Sequence, residues 1–344
     1  MEASSAKPGA DSEARTASAA ALASCLAVLD RAQTVLVTMH EFPDGDALGS
    51  ALALALALTE RGKTVTVYSP QGAPPNLMFL PGADRIVKKL GKEEKFDATV
   101  ACDAGDETRL GPDLPPPERR GAVVNIDHHP RTRPFGVANL VDSHAAAVGV
   151  LVWRILQAME HPISRDMAVC LWVTIATDTG NFRHSNTTAE CMRIAWELME
   201  KGVKPGEISS RMYESQPLSR VRLLGEVLKT LCLSKDGRVA WVIASRDVYD
   251  AAGTNEETAD GFISYPRSIA GVEVALLFRE EAPTRFRVSF RSRGKVDVSK
   301  VAQRFGGGGH RNAAGCTISG SEPEVRARIA AELERELRDL EGKQ

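Results

Sequence analysis

Apolar positions in the first half of the chain fall in short unbroken runs, each followed by a longer stretch with helical spacing. Thr34–Thr38, Thr64–Tyr68, Asp97–Cys102 and Ala122–Ile126 are rich in Val, Thr, Ile or Ala and read as buried strands. A helix is expected over Thr16–Ala32 and another over Ala47–Arg61, and the pattern from Ala146 to Gly202 is helical. Buried strands alternating with helices predict an α/β fold built on a doubly wound, mainly parallel sheet. In the second half, Val239–Ala244, Val272–Phe278 and Phe286–Phe290 are strand-like and interleave with helices, and a charged helix, Glu322–Leu340, follows. That pattern predicts a smaller α+β domain. The expected organisation is a disordered Ala/Ser-rich N-terminus (1–15), a first domain (16–203), a helical linker broken by Pro205 and Pro217 (204–231), and a second domain (232–344).

Composition narrows the functional classes. A length of 344 residues with 43% hydrophobic and 26% charged positions fits two globular domains. The net charge of −2 excludes chain-wide binding of a polyanion, so an anionic substrate needs a local basic site. Six cysteines without a C-x-x-C pair argue against structural zinc and a disulfide framework, and point to a reducing, cytoplasmic compartment. The N-terminus lacks the basic-then-apolar order of a secretory signal, and the apolar stretch Ala47–Leu58 is too short to span a bilayer. No membrane partner is expected.

The chemistry lies in four separate loops: His40/Asp44/Asp46, Asp103/Asp106, Asp127/His128/His129 and Asp178. Each alone has an ordinary explanation. An Asp after a strand commonly caps a helix or makes a turn, and a His pair is commonly surface or structural. Three of the four pieces, however, sit at the carboxyl ends of expected strands, where ligands bind in open α/β sheets. Mixed carboxylate and imidazole donors suit Mn²⁺, Fe²⁺ or Zn²⁺ better than Mg²⁺. The donors outnumber the needs of one ion. Two ions about 3.5–4 Å apart are the common arrangement for phosphoryl transfer, one generating hydroxide and both neutralising phosphoryl charge.

A second signal is the run Phe305-Gly-Gly-Gly-Gly-His310. Consecutive glycines let main chain approach a ligand closely and expose amides to an anion, or they make a flexible loop. Between Tyr265 and Asn312 there are ten Lys/Arg against four Asp/Glu, a local basic patch. Strand alternation places Arg285, Arg287 and Arg291 on one face.

The ordered set His40-x-x-Pro-Asp-Gly-Asp46, Asp103, Asp127-His-His129 and Thr177-Asp-Thr-Gly180 resembles the DHH phosphoesterase family. Arg291-Ser-Arg293, the glycine run and Ala313-Ala-Gly315 look like that family's DHHA1 domain, in the form closest to NrnA-type bifunctional oligoribonucleases and pAp phosphatases. The resemblance covers about residues 20–340. It implies a metal-dependent phosphoric ester hydrolase with two divalent ions, Mn²⁺ foremost, with Mg²⁺, Co²⁺ or Fe²⁺ as alternatives. His40, Asp44 and Asp103 would hold one ion; Asp46, Asp103, His128 and Asp178 would hold the other, with Asp103 bridging. Asp127 would orient the histidines, while His129 and Arg183 would face the substrate. Arg291, Gly307, Gly308, Gly309 and His310 would bind the terminal nucleotide of a short RNA, a linear dinucleotide or pAp. One departure is Phe42, where many relatives carry a polar residue. The same centre also fits a cyclic-dinucleotide phosphodiesterase or a pyrophosphatase/exopolyphosphatase. A non-catalytic nucleotide-binding protein would have lost ligands, and none is lost. A homodimer is the expected assembly.

Overall fold

A computed structural model of the chain describes residues 8–341 except 131 and 260; the side chains of 8–17, 256, 257, 310 and 341 also lie outside the described set. The chain forms two compact units, Met1–Ser215 and Gln216–Gln344. The first contains α1 (Pro8–Arg31), β1 (Thr34–Met39), α2 (Gly45–Glu60), β2 (Thr64–Tyr68), β3 (Ala98–Cys102), α3 (Pro117–Arg120), β4 (Ala122–Asp127), β5 (Ala138–Val141), α4 (Val148–Ala158), α5 (Arg165–Asp178), α6 (Ala189–Glu200) and α7 (Pro205–Tyr213). Helix α1 starts at Pro8, upstream of Thr16 and inside the segment expected to lack structure. Ala10 and Ala14 have the highest helix propensity, Glu13 and Arg15 are good helix formers, and proline is well placed at a first helical position.

All five strands of the first sheet are parallel, in the order β2-β1-β3-β4-β5. The chain leaves β1 toward β2 on one side and then crosses to β3 on the other. The carboxyl ends of β1 and β3 therefore flank a topological switch point, the place where such sheets form a crevice. Strand β1 is buried from its second residue onward and β3 along its whole length, which explains their uninterrupted apolar runs.

Helix α2 packs against α5 at very short range. Cβ atoms built at Gly45 and Gly49 would lie 2.4 Å from Thr177 Cγ2 and 2.6 Å from the Cys170 carbonyl oxygen. Gly149 of α4 is equally constrained, 1.7 Å from Thr174 Oγ1. Glycine at these positions lets the three helices that surround the switch point approach backbone to backbone.

The second unit contains α8 (Leu218–Lys229), β6 (Cys232–Leu233), β7 (Val239–Ala244), α9 (Arg246–Ala252), α10 (Ser264–Ser268), β8 (Val274–Ala282), β9 (Arg285–Ser292), α11 (Val298–Arg304), β10 (Gly308–His310), β11 (Ala313–Ser319) and α12 (Glu322–Glu341). Its sheet is mixed, in the order β10-β11-β9-β8-β7-β6, with β7–β8 the parallel pair. The segment expected as a linker divides between the units. Ile208 and Met212 of α7 belong to the first core, Leu223 and Val227 of α8 to a core of the second. Among the described residues no helix is long and apolar enough to cross a membrane.

Candidate metal centre

The four loops singled out in the sequence converge, apart from Asp106. His40 follows β1, Asp103 follows β3 and Asp127 ends β4, so the switch point brings their side chains together. Asp178 arrives at the C-terminal end of α5 rather than at a strand. Asp103 holds a left-handed backbone conformation (φ +57°), a region where Asp is enriched among non-glycine residues. After Asp178 the chain makes three left-handed residues in succession, Gly180, Asn181 and Phe182. Strain of this kind concentrates at functional sites. Phe42, also left-handed at φ +54°, is 66% exposed on the loop between His40 and Asp44.

Two imidazoles anchor the geometry. His40 Nε2 lies 3.5 Å from Asp103 Oδ2 and 3.9 Å from Asp44 Oδ1. His128 Nε2 lies 3.7 Å from Asp46 Oδ2, 3.7 Å from Asp178 Oδ2 and 3.8 Å from Asp103 Oδ1. The sets His40/Asp44/Asp103 and Asp46/His128/Asp178 each offer donor atoms within 4.8 Å of one another. Donors sharing an ion through bonds of about 2.1 Å sit roughly 3–3.4 Å apart, so the 3.5 to 3.9 Å histidine–carboxylate separations would close by tenths of an ångström around a cation. Both rings are turned for ligation. His40 Nδ1 meets the Glu41 carbonyl at 2.7 Å and His128 Nδ1 the Ala145 carbonyl at 3.0 Å, which directs Nε2 of each toward the carboxylates.

Asp103 belongs to the first set and also groups with His128 and His129, and its Oδ1 is buried without a hydrogen bond, 3.8 Å from His128 Nε2 and 3.3 Å from His129 Nδ1. A buried carboxylate oxygen without a hydrogen bond is costly, and a divalent cation would satisfy it. This orphaned atom, with the donor set around it, fits a metal pair.

The supporting interactions were mostly invisible in the sequence. Helix α4 begins after Ala147, which has no side chain to cap it. Asp46 does so instead, accepting from the amides of Val148 at 2.8 Å and Gly149 at 3.2 Å. Asp44 caps its own helix, α2, through the amides of Asp46 and Ala47. The ordinary reading of Asp44 as a cap is thus correct, and its place beside His40 adds to it. Asp127 Oδ1 accepts from the His128 amide at 2.9 Å and lies 2.7 Å from His129 Nδ1, while Thr132 donates to Oδ2. Asn186 Nδ2 donates to Asp178 Oδ2 at 3.2 Å and to the Ala146 carbonyl at 3.0 Å, joining the Asp178 side of the centre to the loop that orients His128. Nothing in local sequence marks main-chain groups or an Asn eight positions after its partner.

Three other expected features differ in detail. Asp106 takes no part in the cluster; it caps the 3₁₀ turn Glu107–Leu110 through the Thr108 amide. Arg183 is exposed, with Nε donating to the Gly180 carbonyl at 2.7 Å. The glycine run is not a plain loop. Gly308–His310 pairs antiparallel with β11, and Cβ atoms at Gly307 and Gly309 would strike β11 at 2.2 and 2.5 Å. Two of the candidate substrate-binding glycines thus have a packing reason, while a Cβ at Gly308 would meet nothing within 4 Å. The His310 side chain lies outside the described residues.

In the second unit, Arg285, Arg287 and Arg291 share the β9 face opposite buried Phe286, Val288 and Phe290, as alternation requires. Arg291 Nη1 donates to the Phe290 carbonyl at 3.0 Å. The basic excess is smaller than the count implied, because Arg304 pairs with Glu332 and Glu336 of α12, acids outside the counted stretch.

Crowding of like charges sets the electrostatics. Burial, then the Asp103 and Asp178 carboxylates, raise the Asp46 pKa well above the carboxylate range. Burial, reinforced by Asp103 and Asp44, pushes Asp178 up to about 6. Burial lowers His40 and His128, but the acids around them outweigh it and lift these pKa values to about 10 and about 9. Groups with raised folded pKa values stabilise the fold below their unfolded values and lose that contribution as pH climbs through the folded ones. The metal-free protein is therefore expected to lose thermal stability as pH rises from about 6 to 10. Divalent metal should bind with proton release and reverse the trend, because ligating histidines and carboxylates must be deprotonated. Melting curves across that range with EDTA or with Mn²⁺ check this, and parallel curves would contradict it.

Comparison with known proteins accords with this geometry. Residues 34–175 match the model of the DHH family, N-terminal domain, and residues 236–339 match that of the DHHA1 domain. A bifunctional oligoribonuclease and PAP phosphatase NrnA of Thermus thermophilus is 36% identical over 289 residues, spanning 83% of this chain and 84% of its own. The crystal structure of an exopolyphosphatase-related protein from Bacteroides fragilis superposes with a TM-score of 0.85 at 27% identity, covering 94% of this chain and 98% of that one. RecJ from Thermus thermophilus, crystallised in complex with Mn²⁺, shares the fold at 15% identity and a TM-score of 0.53, covering 92% of this chain and 55% of that one. The chain belongs to the DHH family, with a DHH domain followed by a DHHA1 domain.

Proposed function

We propose that this protein hydrolyses short oligoribonucleotides and 3′-phosphoadenosine 5′-phosphate with two divalent ions, Mn²⁺ foremost. The observation that carries the reading is Asp103, a donor of the His40/Asp44 set whose buried Oδ1 makes no hydrogen bond and lies 3.8 Å from His128 Nε2 of the other set. His40, Asp44 and Asp103 would hold one ion, and Asp46, Asp103, His128 and Asp178 the other. When bound, such a pair activates water and neutralises charge on the phosphoryl oxygens. The mixed imidazole–carboxylate donors favour Mn²⁺, with Co²⁺ or Fe²⁺ next, over Mg²⁺.

The chain's own groups do the remaining work. Asp127 holds His129 at Nδ1, which fixes the ring's tautomer and aims it for contact with a phosphoryl oxygen or the leaving oxygen. Burial raises the Asp127 pKa, but the bonds from His129, Thr132 and the His128 amide outweigh it and keep the carboxylate charged. Arg183, Arg291, Gly308 and His310 would recognise the nucleotide, with Gly307 and Gly309 shaping the strand that carries Gly308. The relative named above acts on an oligoribonucleotide and on PAP, and the conserved length of the match supports the same substrates here. Six free thiols, five of them buried, accord with a reducing, cytoplasmic setting.

One assay tests the reading: purified protein with Mn²⁺ against pAp, a linear dinucleotide, a cyclic dinucleotide, a longer RNA and pyrophosphate. The expected result is turnover of pAp and the linear dinucleotide well above the rest. Phosphate release from pyrophosphate alone would overturn it.

A further inference from the structure

The loop between His40 and Asp44 carries Phe42, which the metal centre leaves unexplained. Its side chain is 66% exposed, and among the described residues its ring joins none of the apolar clusters. Single exposed apolar residues are ordinary on a protein surface. The backbone under this one is not. Phe42 precedes Pro43, a position pushed toward extended conformations, yet it holds φ +54°, where bulky side chains are rare. Such a conformation persists only where the surroundings impose it.

Here they act from both sides. The Phe42 amide donates to Gln71 Oε1 at 3.2 Å, in the loop after β2, and the Glu41 amide donates to the Arg109 carbonyl at 2.8 Å, in the turn after β3. Strands β2 and β3 flank β1 in the sheet, so both neighbours of β1 pin the loop that leaves it. Pro43 is buried and Asp44 caps α2, which fixes the far end. The outcome is a fixed main chain that holds an apolar ring in water. A ligand covering the ring would supply the burial that the fold does not.

Position gives the class of that ligand. Phe42 is two residues from both His40 and Asp44, so its Cα lies within about 8 Å of theirs. In the same donor set the side chains of His40 and Asp103 are 8% and 5% exposed, whereas that of Asp44 is 62% exposed. The set thus opens to solvent at Asp44, on the loop that presents Phe42. A phosphate group arriving there has the ring beside it. A flat apolar surface next to an anion site matches a flat group tethered to a phosphate, and a nucleobase is such a group, since every base offers a π face to an aromatic side chain. Pyrophosphate has nothing to place on the ring. We propose that Phe42 is a specificity-determining residue that stacks on the base of the nucleotide whose phosphate sits at the metal centre. The proposal rests on the phosphoesterase reading above and adds to it a means, within the first unit, of selecting nucleotides over base-free phosphates.

Phe42→Asn, Phe42→Leu and Phe42→Tyr test it in the full chain. Asn removes the ring and tolerates the left-handed backbone, Leu keeps apolar volume without a π face, and Tyr keeps the ring. Kinetics with Mn²⁺ compare pAp with 1-deoxyribose 3,5-bisphosphate, its base-free analogue. The parent's preference for pAp, as a ratio of kcat/KM values, should fall roughly tenfold in the Asn and Leu variants, mainly through KM, and stay within about twofold in the Tyr variant. Melting curves with EDTA should show all three folded. Phe42→Trp adds a direct readout: AMP should quench its emission beyond any change in the parent, and ribose 5-phosphate should not. An undiminished preference in the Asn and Leu variants, or a Phe42→Trp protein that AMP leaves unquenched, would overturn the stacking while the proposed hydrolysis stands. A parent that turns over no nucleotide would overturn the hydrolysis, and the quenching by AMP would still decide the stacking.

Discussion

Asp103→Asn is expected to lower turnover on the order of a thousandfold, or about 4 kcal/mol of transition-state stabilisation. The change is nearly isosteric, and Asn tolerates the left-handed backbone that Asp103 adopts at φ +57°. Oδ1 makes no hydrogen bond; its neighbours are the imidazoles of His129 and His128, at 3.3 and 3.8 Å. What is lost is the one carboxylate charge that stands beside both His40 and His128. The same loss should lower the pKa values of Asp46 and Asp178, which the Asp103 carboxylate helps to raise, and those of His40 and His128, which it also raises. Lower activity with a retained fold separates a ligand from a structural residue. Asp106→Asn is the matched control, since Asp106 caps a turn away from the cluster, and it should keep near-parental turnover. Kinetics of both variants with Mn²⁺, beside their melting curves with EDTA, measure this. An Asp103→Asn enzyme within tenfold of the parent would remove Asp103 from its bridging position.

Gly49→Ala should destabilise the first unit by about 2–3 kcal/mol, lowering its melting temperature by roughly 5–10 °C. The new Cβ would sit 2.6 Å from the Cys170 carbonyl oxygen, a main-chain atom that cannot rotate away. Relief requires α2 and α5 to part, and those helices carry Asp46 and Asp178. Weaker metal binding should therefore accompany the lower melting temperature. Gly206→Ala, where a Cβ meets nothing, should change stability by ~0.5 kcal/mol or less in the stabilising direction. Equal melting of the two variants would contradict the close-packing account.

The candidate donor set could be read from sequence because most of its members end elements with strong local signals. Strands β1, β3 and β4 are buried on both faces and spell themselves out as apolar runs, and His40, Asp103 and Asp127 are the first chemistry after or at their ends. The elements that escaped lack such signals. Strand β5 has four residues and is defined by pairing with β4, not by its own composition. Strands β10 and β11 are built from Gly, Ala, Cys, Thr and His, residues that say little alone, and the hairpin exists because Gly307 and Gly309 admit contact with β11. Asp46 as the cap of α4, and Asn186 as the tie to Asp178, are tertiary facts with partners far along the chain. Asp106 shows the opposite error: a correct residue type in a correct loop, used as a cap. Arg304 shows why charge counts overstate a binding face, since its charge is spent on α12.

The most direct test of the metal centre is an anomalous difference map from a crystal soaked in Mn²⁺. Two peaks about 3.5–4 Å apart are predicted, one beside His40 and Asp44, the other beside Asp46, His128 and Asp178, with the Asp103 carboxylate between them. A single peak, or peaks that do not share Asp103, would contradict the two-metal account.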